Sequence, residues 1–117
     1  MWPRYSLKLE GNVIKNGVDL RGLSPQMAIA YTIACRCYGQ YDCVITSASD
    51  GKHGPNSLHY KGQALDLRTR HLNGQGLQAV YHKLKESLGE QFDVVLESDH
   101  IHVEWDPKDK SISVEDR

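Results

Sequence analysis

The apolar positions along this chain change their period several times, and each change marks an element. Residues 5–23 alternate apolar and polar side chains around turn signals at Gly11-Asn12 and Asn16-Gly17, which predicts one or two short strands with a hairpin. Ser24-Pro25 then offers a helix start, serine as N-cap and proline at the first helical position. From Gln26 to Tyr38, Met27, Ala30, Tyr31 and Ala34 fall at helical spacing, and Gly39 ends the run. Cys43-Val44-Ile45 reads as a short buried strand, and residues 47–57 as a polar loop crowded with turn formers. Ala64 to Arg68 alternates again and predicts a strand. Asn73-Gly74 opens a second helix whose apolar stripe is Leu77, Val80, Tyr81, Leu84 and Leu88, closed by Gly89. Phe92 to Leu96 and His100 to Trp105 are two strands joined by a very short turn, and the polar tail from about residue 107 is expected to be loosely ordered. The order of elements predicts an α+β domain with a mostly antiparallel sheet and two main helices.

Composition narrows the class. At 117 residues the chain has room for one core, so a single domain over 1–117 is expected. A charged fraction of 25% with a net charge of −1 is an ordinary folded composition, and it lacks the basic excess of a nucleic-acid-binding module. No apolar run approaches the ~18–20 residues of a membrane span. The opening Met1-Trp2-Pro3-Arg4-Tyr5 has no charged segment leading into an apolar stretch, so no signal peptide is expected. Cys35, Cys37 and Cys43 are an odd number and read as reduced, structural thiols. Cys35-Arg36-Cys37 is too tight for a Cys-x2-Cys zinc knuckle, and on a helix its two side chains diverge by about 200°.

The chemistry gathers in two clusters. The first, Ser57 to Asp66, holds an imidazole (His59) and a carboxylate (Asp66), with the small residues Gly62 and Ala64 between them for close backbone approach to a ligand. The second is Glu97-Ser98-Asp99-His100-Ile101-His102-Val103-Glu104-Trp105. On a strand, His100, His102 and Glu104 share one face, while Ile101, Val103 and Trp105 share the other and can meet the core. With Ser98-Asp99 as a two-residue turn, Glu97 lies opposite His100 on the same face. Two imidazoles and a carboxylate make a catalytic zinc set: three protein ligands leave a fourth position for water, whose pKa zinc lowers to ~7. His59, Asp66 and one of His100 or His102 supply the ligands, and Glu97 or Asp99 the base. Glu104, on the histidine face, either holds a ligand imidazole from behind or is simply exposed.

The pattern Ser57-x-His59-x-x-Gly62-x-Ala64-x-Asp66 resembles the signature of the zinc D-alanyl-D-alanine carboxypeptidases and dipeptidases, a family that includes phage L-alanyl-D-glutamate endopeptidases. Asp50-Gly51-x-His53 upstream and His100-Ile101-His102 downstream also resemble the zinc half of the hedgehog signalling domain, whose fold the peptidases share. The resemblance spans residues 50–105, about half the chain. It implies His59, Asp66 and His102 as zinc ligands, His100 as the non-ligand histidine beside the water, and His53 as a residue lining the cleft. Peptidase spacing points to Asp99 as the base, hairpin phasing to Glu97. Most of the hedgehog calcium cluster is missing, so no calcium site is expected. Many members of the family carry an arginine upstream of the signature for the substrate carboxylate; the corresponding loop here, Thr46 to Asn56, has none, which leaves Arg36, Arg68 and Arg70 as candidates.

The resemblance implies a zinc metallopeptidase that hydrolyses peptidoglycan cross-peptides with a metal-activated water, of DD-carboxypeptidase or endolysin type. It further implies a monomer made in the cytoplasm of a bacterium, phage- or bacterium-encoded, that reaches the cell wall through a holin or on a virion. The alternative is a non-catalytic hedgehog-like zinc domain that acts as a binding module.

Overall fold

Helix α1, Pro25–Tyr38, begins where the sequence marks it: the Ser24 side chain accepts from the Met27 N–H at 3.2 Å and Pro25 takes the first turn. It ends at Gly39, whose φ of 62° lets its N–H reach back to the Cys35 and Arg36 carbonyls. Helix α2, Gly74–Leu88, repeats the device, with Asn73 accepting from Gly76 N–H at 2.7 Å and Gly89 as the stop. These elements come from a computed structural model that describes residues 14–50 and 57–107. The turn at Gly11-Asn12, His53 and the tail from residue 108 lie outside the described residues.

Among the described residues there are four strands: β1 (Ile45–Ser47), β2 (Ala64–Arg68), β3 (Phe92–Leu96) and β4 (His100–Trp105). They form one antiparallel sheet in the order β1-β2-β4-β3, so the class is α+β. The core lies on one face. Leu65, Leu67, Ile101, Val103 and Val94 meet Met27, Ala30, Ala34 and Tyr38 of α1 and Val80, Leu84 and Leu88 of α2. Trp105 packs against this cluster half-buried, as an anchor. Period-2 alternation then turns Ala64, Asp66 and Arg68 of β2 to the opposite face, in register with Glu104, His102 and His100 of β4.

Two expectations are corrected. Among residues 14–23 there is no strand hairpin; Ile14 makes one parallel bridge to Ile45, and turns at residues 16–17 and 21–22 are joined by irregular chain. This segment spends its hydrogen bonds on the loop after β1 instead: Asp19 N–H donates to Asp50 Oδ1 at 2.9 Å, and Ser49 N–H donates to Asp19 O at 2.9 Å. The strand expected at 43–45 is shifted to Ile45–Ser47, because pairing starts where Arg68 N–H donates to Val44 O at 2.9 Å. A register shift between Ile45 and Ser47 follows, placing Ile45 against Leu67 and Ser47 against Asp66.

Candidate metal centre

The turn from Ser57 to Gly62 presents His59. Ser57 Oγ accepts from His59 N–H at 3.1 Å, and Gly62 N–H donates to His59 O at 3.1 Å, so both ends of the turn fix that residue. Gly62 has φ 72°, and a Cβ there would collide with the Gly22 carbonyl. Its missing side chain therefore serves the crossing of two backbones, with Ser24 N–H donating to Gly62 O at 2.8 Å, and not the approach of a ligand.

His59 is 3% exposed. Its Nδ1 lies 2.7 Å from the Ala48 carbonyl, which can only accept, so Nδ1 carries the hydrogen and Nε2 faces inward. Asp50 Oδ1 steadies that carbonyl's residue by accepting from Ala48 N–H at 2.9 Å. His59 Nε2 then stands 3.2 Å from Asp66 Oδ1 and 3.3 Å from His102 Nδ1. His102 Nδ1 is 3.0 Å from Asp66 Oδ1, its register partner across β2 and β4. One ligand atom from each of His59, Asp66 and His102 therefore lies within 4.8 Å of the other two.

This donor set fits a metal cation. His59 Nε2 offers a lone pair toward a carboxylate oxygen, and two such acceptors at this distance need positive charge between them. A proton on His102 supplies it in the metal-free chain: Asp66 and Glu104, hydrogen-bonded on either side of the ring, raise His102 to about 9 against the opposing effect of burial. Burial alone would push Asp66 up, but the hydrogen bond from His102 holds it well below the usual carboxylate range. His59, Asp66 and His102 could hold a divalent cation, which would take the place of the proton on His102 Nδ1.

The other sequence-predicted residues fall at different distances from this point. His100 Nε2 is 3.6 Å from Asp66 Oδ1, beside the cluster. Its Nδ1 is 2.7 Å from Asp99 Oδ1, so the side chain of Asp99, 83% exposed, turns to His100. Glu97 lies opposite His100, joined to it by Glu97 N–H donating to His100 O at 2.9 Å, which closes the Ser98-Asp99 turn as phased from the sequence. Glu104 Oε1 is 2.7 Å from His102 Nε2. Arg68 is directly across from His100, so of the three candidate arginines it is the one that β2 puts on this face. Arg36 belongs to α1 and Arg70 follows the end of β2.

Sequence reasoning missed the Ala48 carbonyl, since a backbone group carries no residue signal. His71 stands outside the cluster and has its own partners. The ring is exposed but donates from Nε2 to Asp42 O at 2.6 Å and stacks on Tyr38, 6.1 Å between centroids. The cysteines are away from the metal cluster, all three free: Cys37 and Cys43 are buried and Cys35 half-buried. No model of a known protein family matches the chain, and neither does any curated protein.

Proposed function

We propose that the protein is a zinc-dependent peptidase that hydrolyses peptidoglycan cross-peptides. The observation that carries the reading is the convergence of His59 Nε2, His102 Nδ1 and Asp66 Oδ1, with His100 Nε2 beside them. Two imidazole nitrogens and one carboxylate oxygen are a three-ligand zinc donor set that leaves a position open. Zinc bound there supplies the Lewis acidity that polarises a carbonyl and makes water reactive near neutral pH. The substrate class follows from the resemblance of the Ser57-to-Asp66 signature, and with it a site of action in the bacterial wall.

The chain's own residues supply the rest. Glu97 is the base: it follows β3 directly and is tied to His100 through Glu97 N–H and His100 O, whereas Asp99 is engaged with His100 Nδ1. Glu97 takes the proton of the attacking water and returns it to the leaving amine. Asp99 accepts from His100 Nδ1 and fixes the ring so that Nε2 faces the reacting centre, where the imidazolium form would donate from Nε2 to the carbonyl oxygen and stabilise its developing charge. Arg68 is the cation on the same face for a substrate carboxylate.

Incubation with defined muropeptides, followed by mass spectrometry with and without a chelator, tests this reading. Chelator-sensitive release of a fragment is expected, and the fragment mass names the bond. One bound zinc with no cleavage of any wall peptide would instead identify a non-catalytic, hedgehog-like zinc module. Glu97→Gln is expected to keep zinc and lose about 10²–10⁴-fold in turnover, and Asp99→Asn to lose less. Full activity in both variants would contradict the assignment of the base.

A further inference from the structure

His102 can face the cluster with either ring nitrogen, since a half-turn about its Cβ–Cγ bond exchanges the side of the ring that meets Asp66. In this structure Nδ1 faces Asp66 at 3.0 Å and Nε2 faces Glu104 at 2.7 Å. A carboxylate only accepts, so Glu104 accepts the Nε2 hydrogen and leaves Nδ1 as the nitrogen available to a metal. Glu104 is itself held in place by the sheet. It stands between Ala64 on β2 and Asp93 on β3 in register. The carboxylates of Asp93 and Asp106 have oxygens within 4.8 Å of the Glu104 carboxylate, so negative charge gathers behind the ring.

We infer that Glu104 is a positioning residue for the metal: it selects Nδ1 of His102 as the ligand atom by holding Nε2. This inference rests on the metal reading above. The outer partner of His59 does the same from the other side, where the Ala48 carbonyl takes Nδ1–H and commits Nε2. The two histidines therefore bind through unlike nitrogens, each chosen by the acceptor behind it.

Zinc affinity, measured by competition with a chromophoric chelator, tests the inference without any substrate. Glu104→Ala is expected to weaken zinc about 10–100-fold, the usual cost of losing an outer partner of a ligand histidine. Glu104→Gln keeps an acceptor oxygen without the charge and is expected to fall between the two. Nitrogen NMR of ¹⁵N-histidine in the zinc-loaded protein reads the ligand atom. Nδ1 of His102 is expected to carry the metal in the native chain and in Glu104→Gln, and Glu104→Ala is expected to show a mixture of Nδ1 and Nε2. Native affinity together with unchanged Nδ1 ligation in Glu104→Ala would overturn the inference while leaving the metal site standing. No zinc binding by the native chain would overturn both.

Discussion

The two faces of the β2–β4 pair are made by the same ten-odd residues and obey opposite rules. On one face Leu65, Leu67, Ile101 and Val103 are each at most 2% exposed and packed under the helices. On the other, Asp66, His102, His100 and Glu104 form a hydrogen-bonded polar set whose groups face one another. The first face is non-directional: what counts is the apolar area it removes from water. The second depends on which atom points where, to within a fraction of an ångström. Alternation along one strand thus separates fold from chemistry, and substitutions on the two faces are expected to give different phenotypes.

The largest effect is expected on the polar face. Asp66→Ala removes the carboxylate that all three histidines approach, and stoichiometric zinc binding should be lost while the far-ultraviolet spectrum stays native. Zinc retained at one equivalent would erase the distinction between the faces. Ile101→Ala, one residue from His100, should do the reverse. Ile101 is 0% exposed, so truncation is expected to cost about 2–5 kcal/mol in chemical denaturation. The folded fraction should still bind one zinc. Gly62→Ala should lie between, costing about 1–3 kcal/mol from its positive φ and its collision with the Gly22 carbonyl. It moves the turn that carries His59, so zinc affinity should fall as well; a purely thermal effect would place Gly62 with the fold alone.

The sequence made most of this division legible because both of its signals are local. Caps at Ser24 and Asn73, stops at Gly39 and Gly89, and the period-2 runs at 64–68 and 100–105 are each read within a few residues. The two-residue turn at Ser98-Asp99 was enough to set Glu97 opposite His100. What was not legible depends on distant partners. The segment 14–23 and the start of β1 are decided by bonds to Asp50, Ser49 and Arg68, which no local pattern announces. The choice of ring nitrogen in His59 and His102, and the turning of Asp99 toward His100, depend on rotamers set by the packed sheet. Gly62 was recognised as a residue that must be small, but its neighbour proved to be the backbone at Gly22.

The smallest effect is expected beneath the apolar face, at the thiols. A hydrogen bond from Cys43, opposed by burial and helped by Tyr31, brings Cys35 down to about 7. Burial pushes the Cys43 thiol up. Alkylation of the native chain by iodoacetamide should therefore modify Cys35 first, its rate rising with pH to a midpoint near 7. The zinc content should not change, because the metal is expected on the other face. Loss of zinc in step with alkylation of a folded chain would move a ligand to the cysteines.

Zinc K-edge X-ray absorption of the loaded protein tests the central claim most directly, since it reads the donor atoms themselves. The account predicts one zinc with two imidazole nitrogens at ~2.0–2.1 Å, oxygen in the remaining positions and no sulfur. A sulfur shell at ~2.3 Å, or an all-oxygen shell as expected from Asp93, Glu104 and Asp106, would contradict it.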